Sequence, residues 1–84
     1  MDIELIKSIL YEQVYSPHSN DIITLEVEIM NINGNDIVEV YFNTRSYDYI
    51  RYFDKIKLIL VMLGVVHYNI RVNYYVLKHS PPFI

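Results

Sequence analysis

Two rhythms of apolar residues run along the chain. In residues 2–15, DIELIKSILYEQVY, Ile3, Ile6, Leu10 and Val14 recur at helical spacing, and Leu5 and Ile9 widen the stripe. Glu4, Lys7, Ser8, Tyr11 and Glu12 fall mostly on the opposite side, and Asp2 is placed to cap the first turn. Ser16-Pro17 predicts the helix end, because proline biases the residue before it away from helical geometry. A polar loop, residues 18–21, leads into the second rhythm. Residues 22–32, IITLEVEIMNI, put Ile23, Leu25, Val27 and Ile29 on one face and Thr24, Glu26, Glu28 and Met30 on the other. Residues 36–42 alternate as well, Val38, Val40 and Phe42 against Ile37, Glu39 and Tyr41.

Between the two alternating runs lies Asn33-Gly34, a strong signal for a two-residue hairpin turn. That turn sets Ile29 against Val38, Val27 against Val40 and Leu25 against Phe42, so inward residues meet inward residues. A three-residue loop through Asn35 would set Ile29 against Glu39 and mix the faces along the whole ladder. Turn chemistry and apolar pattern therefore agree on one register. It places Glu28 opposite Glu39 and Glu26 opposite Tyr41 on the polar face. Like charges directly across a ladder are destabilising by up to about 1 kcal/mol, which a neighbouring cation offsets.

Helical spacing returns in residues 46–63, SYDYIRYFDKIKLILVML, with Ser46 or Thr44 as cap, Asp48 in the first turn and Gly64 just past the end. Tyr49, Phe53, Ile56, Leu60 and Leu63 form one stripe, with Arg51, Asp54 and Lys55 on a polar face in the first half. The second half, Leu58 to Leu63, has no polar side, so it needs cover all round. Leu58, Val61 and Met62 are thereby expected at a homodimer interface. Residues 65–77 alternate as a third strand, Val66, Tyr68, Ile70, Val72, Tyr74 and Val76 against His67, Asn69, Arg71, Asn73 and Tyr75. Pro81-Pro82 makes residues 79–84 a loose tail.

The element order α-β-β-α-β predicts one small α+β domain over residues 1–84, built as a two-layer sandwich. A right-handed crossover makes the third strand parallel to the second. Set beside the first strand, it gives a fully antiparallel sheet of order 2-1-3, with both helices on the apolar face. No other element covers the polar face.

Composition narrows the options. The chain has 84 residues, is 52% hydrophobic, contains nine Tyr and no Cys, and carries a net charge of −3. So small a domain needs a dense core. Disulfides and thiolate metal sites are excluded. The negative charge argues against a general phosphate-backbone binder. The start MDIELIK lacks the layout of a secretory signal, and the longest nearly apolar run, 56–66, is about half of the ~20 residues a membrane span needs. A soluble, intracellular protein is expected. Abundant Ile, Tyr and Asn with no Ala or Trp follow AT-rich codons, a bias common in viral and mobile-element proteins.

The candidate chemistry is thin. Glu26, Glu28 and Glu39 near His67 or Arg71 have only the spacing of one strand face, which solubility alone supplies. His18, His67 and His79 lack metal-site spacing. Gly34 and Gly64 read as a turn and a helix end, so no phosphate-cradling loop exists. The sequence predicts a non-enzyme without metal or cofactor. Tyr41 and Tyr75 on the open face could stack bases, but three glutamates share that face. Tyr also concentrates at protein-protein hot spots, and beside that stands the plainer reading that Tyr simply replaces Phe in an AT-biased chain.

Residues 19–40, SNDIITLEVEIMNINGNDIVEV, preceded by a short amphipathic helix, resemble the front half of small phage-encoded anti-CRISPR proteins. The shared elements are the Ser19-Asn20 loop, a long alternating strand, the Gly34-Asn35 turn and a second strand feeding a helix. The match covers under half the chain, and residues 56–77 depart from it in being far more apolar. The resemblance implies an acidic inhibitor that occupies the DNA-binding groove of a nuclease, with Glu26, Glu28 and Glu39 as acids that meet a basic groove.

Together these readings predict a protein of viral or mobile-element origin that binds and inhibits or modulates a host protein, such as a nucleic-acid-binding defence effector, in the host cytoplasm. Its expected contact residues are Glu26, Glu28, Glu39, Tyr41, Arg71 and Tyr75. One alternative is a dimeric nucleic-acid binder that gathers Arg45, Arg51, Lys55 and Lys57 into a cationic strip. Another is a structural subunit of a viral particle.

Overall fold

A computed structural model of the chain describes residues 2–75. The first helix, α1 (Ile3–Leu10), is capped as expected, the Asp2 carboxylate accepting from the Leu5 N–H at 3.2 Å. It does not stop at Ser16-Pro17. A wider π-helical turn, Tyr11–Tyr15, and a 3-10 turn, Ser16–His18, carry it onward. Pro17 is tolerated because it stands at the start of the 3-10 turn, where its missing N–H breaks no bond. Leu10 and Val14, on either side of the change in pitch, both stay fully buried.

Strands β1 (Ile22–Ile32) and β2 (Asn35–Thr44) form the expected hairpin. Leu25 faces Phe42, Val27 faces Val40, and Ile29 faces Val38. Asn33 and Gly34 both have positive φ, 53° and 83°, as a two-residue primed turn demands. A bulge between Ile22 and Thr24 corrects one expectation. Ile22, not Ile23, is buried at the base of the strand, since the extra residue flips the alternation there.

Helix α2 (Ile50–Met62) begins later than residue 46. The predicted caps are engaged elsewhere: Thr44 Oγ1 accepts from the Ser46 N–H (3.1 Å), and Ser46 Oγ accepts from the Asp48 N–H (3.2 Å). These successive turns precede the helix, which opens without a side-chain cap. Its far end is as expected. Gly64, at φ 80°, lets Gly64 N–H reach the Val61 carbonyl and Val65 N–H reach the Leu60 carbonyl, both at 3.0 Å. This paired closure is the Schellman motif, and the buried Val65 and Leu60 side chains supply its apolar contact.

Strand β3 (Tyr68–Tyr74) is parallel to β2 and beside it, so the sheet is mixed with order β1-β2-β3. The expected antiparallel order 2-1-3 is thereby corrected. The reason is visible in β2, whose inward residues Val38, Val40, Phe42 and Thr44 are all fully buried, which suits the central strand. The α2 crossover also reaches the adjacent strand directly. Both helices pack on one side of this small α+β fold, α1 against β1 and α2 against β3. The buried stripe of α2 is Tyr52, Ile56 and Leu60, not the row through Leu63. Val66, expected on the core side, is exposed before β3 begins. The tail, 79–84, lies outside the described residues.

Candidate protein-docking face

On the far side of the sheet, three rows of side chains cross the strands. The first row is Thr24, Asn43 and Asn73. Asn43 donates to Thr24 Oγ1 (2.7 Å) and accepts from Asn73 (2.8 Å). The second is Glu26, Tyr41 and Arg71, and the third is Glu28, Glu39 and Asn69. The hairpin register fixes the first two members of each row, and the pairing of β3 with β2 adds the third.

Arg71 lies over the Tyr41 ring, 5.4 Å from its centroid, and its Nε stands 3.8 Å from Glu39. Asn69 donates to the other Glu39 oxygen at 3.3 Å. Glu39 thus has a cation and a neutral donor, which moderates its repulsion with Glu28 across the ladder. Among the described residues, no Lys or Arg pairs with Glu26 or Glu28. Five of the predicted contact residues, Glu26, Glu28, Glu39, Tyr41 and Arg71, line one small cleft of about 90 Å³ together with Met30. Tyr75 does not join them. It lines a separate hollow with Ile23, Asn43 and Arg45.

A second polar cluster was not legible beforehand. Tyr52, outside the apolar stripe the spacing predicts for the second helix, is 1% exposed and belongs to the core. Its hydroxyl donates to Asp21 Oδ2 (2.5 Å) and accepts from Arg51 (2.8 Å). Burial and then the Asp21 hydrogen bond push the Tyr52 phenol above its ordinary value. Arg51 bridges Asp21 and Asp48, each at 3.7 Å, and its pKa is raised first by the hydrogen bond to Tyr52. The His18 ring packs on Tyr52 at 4.9 Å, and Thr44 Oγ1 and the Arg45 N–H both donate to the Asp21 carbonyl. The cluster ties the loop before β1 to the end of β2 and the start of α2. An acid more than twenty residues before an adjacent arginine and tyrosine carries no local signal of such a contact.

The surface predicted for a dimer is exposed: Leu58 58%, Val61 54% and Met62 75%. No group of three or more metal-ligating side chains occurs among the described residues, and no helix there is long and apolar enough to cross a membrane. The molecule belongs by its geometry to the small α+β folds with helices on one face of a three-stranded mixed sheet. No family model matches the chain, and no curated protein or solved structure matches it significantly.

Proposed function

We propose that this protein acts by occupancy, docking the open face of its sheet onto a basic surface of another protein, with no chemical step. The observation that carries the reading is the cleft of Glu26, Glu28, Met30, Glu39, Tyr41 and Arg71, in which two acids have no cation among the described residues. An aromatic ring and unpaired carboxylates at one spot suit recognition of Lys and Arg side chains. The composition and the resemblance of residues 19–40 to anti-CRISPR proteins support a viral or mobile-element inhibitor of a nucleic-acid-binding host effector, working in the host cytoplasm. The cationic-strip alternative is less well supported, since Arg45 donates to the Asn20 carbonyl (2.7 Å) and Arg51 is held between Asp21 and Asp48. The test is capture of the protein that co-purifies with a tagged copy, repeated with Glu28→Lys and Tyr41→Ala. Loss of capture is the expected result, and unchanged capture by both variants removes this face from the reading.

The proposal includes a homodimer through α2. Leu58, Val61, Met62 and the neighbouring Val66 are exposed together. Burying these four apolar side chains against their copies is the contribution that would favour association. Sedimentation at micromolar concentration is expected to show a dimer that Met62→Glu dissociates. A monomer throughout would remove the dimer and leave the docking face untouched.

A further inference from the structure

We propose that the free edge of β1, with the groove beside it, receives an extended segment of a partner protein that alternates basic and apolar residues, added as a fourth strand. This inference does not rest on the open-face reading, although Glu26 borders both surfaces.

The first observation is the edge itself. β1 is 11 residues long and pairs only with β2 among the described residues. The two-residue turn makes Ile32 and Asn35 the closing hydrogen-bonded pair, and bonding then alternates along the ladder. Leu25, Val27 and Ile29 therefore turn their backbone N–H and C=O groups away from β2. The strand contains neither Pro nor Lys, two of the devices that blunt an exposed edge.

The second observation is the groove, about 680 Å³, between that edge and the flank of the first helix. The π-helical turn contributes Tyr11 and Tyr15, packed edge to face at 6.2 Å, and the strand contributes Ile23 and Leu25. Ser8, Ser16, Thr24 and two acids, Glu12 and Glu26, complete the lining, and no Lys or Arg pairs with either acid among the described residues.

Pleat geometry then specifies the occupant. Residues of an added strand that lie opposite Leu25 and Val27 share their face, and the one opposite Leu25 enters the groove. Residues opposite Glu26 and Glu28 lie on the acidic side, where Lys or Arg is complementary. Backbone pairing supplies affinity and the alternating pockets supply selectivity, the mode known as strand addition. A second copy of this chain fits less well. A two-fold pairing of β1 with itself is antiparallel, and registers centred on Glu26, Val27 or Glu28 set glutamate against glutamate.

The probe is a synthetic peptide alternating lysine and valine, titrated against the full chain. Amide exchange at Leu25, Val27 and Ile29 is expected to slow on the order of tenfold at saturation, and Glu12→Lys to weaken binding on the order of tenfold. Glu12 is exposed, so that variant leaves the core intact. A peptide with alternate backbone nitrogens methylated is expected not to bind, and Tyr41→Ala is expected to change nothing. Three outcomes overturn the proposal: equal binding of the methylated peptide, equal binding of a glutamate-valine peptide, or sensitivity to Tyr41→Ala without sensitivity to Glu12→Lys. Absence of binding, or a dimer that protects the β1 edge by itself, overturns it as well.

Discussion

Two polar clusters sit on this fold and have opposite economies of hydrogen bonding. Around Tyr52, each polar group meets a partner inside the chain: Asp21 meets the phenol and Arg51, and Arg51 also meets Asp48. Around Tyr41, the supply is incomplete, because Arg71 and Asn69 both serve Glu39 while Glu26 and Glu28 have no cation among the described residues. The first cluster is half sunk in the core beside His18, and the second faces outward on the sheet. A satisfied, partly buried network holds elements together, and an under-supplied exposed one leaves acids available to an incoming charge. The same residue types, an arginine over a tyrosine beside an acid, thus have a structural role in one place and suit recognition in the other.

Substitutions should separate these roles in order of size. Tyr52→Ala removes a fully buried aromatic side chain and is expected to destabilise the fold by about 3–5 kcal/mol, read by chemical denaturation. Asp21→Ala takes the acceptor from a buried phenol and should lower stability by about 1–3 kcal/mol, with the sheet face unaffected. Glu28→Lys should move stability by less than about 1 kcal/mol, and in the favourable direction, because it removes a like-charge pair with Glu39. Its effect belongs instead to partner capture. A large loss of stability from Glu28→Lys would show that the outward cluster is structural after all.

Alkaline titration gives a further contrast. The folded state holds the Tyr52 phenol protonated, so its pKa lies above the ordinary value of about 10. Above that value the native state retains a proton that the unfolded chain has released, and stability falls as pH climbs towards the raised folded value. Below it this contribution is intact. Denaturation midpoints on either side of that range should drop for the parent chain and drop less for Tyr52→Phe.

Much of the hairpin was legible in the sequence, and for a local reason. Alternation fixes which side chains share a face, and Asn33-Gly34 fixes how the strands meet, so the pairing of Glu28 with Glu39 and of Glu26 with Tyr41 followed from neighbours alone. The Gly64 helix closure was equally local. Where a short-range rule met a competing longer-range demand, the demand prevailed. The bulge at Ile23 re-aimed one residue, and Pro17 was absorbed into a change of helical pitch.

The sequence by itself determined the order of the elements, the hairpin register and the division of the sheet into an apolar and a polar face, because side-chain period and turn geometry act over a few residues. Only the tertiary structure decided that β3 lies beside β2, which brought Arg71 and Asn69 to Glu39, and that Tyr52 reaches Asp21. The alternation of β3 reads the same at either edge of the hairpin. Its choice of neighbour came from how the α2 crossover and the fully buried row of β2 share one core, an energy that belongs to the assembled layers and to no single stretch of chain.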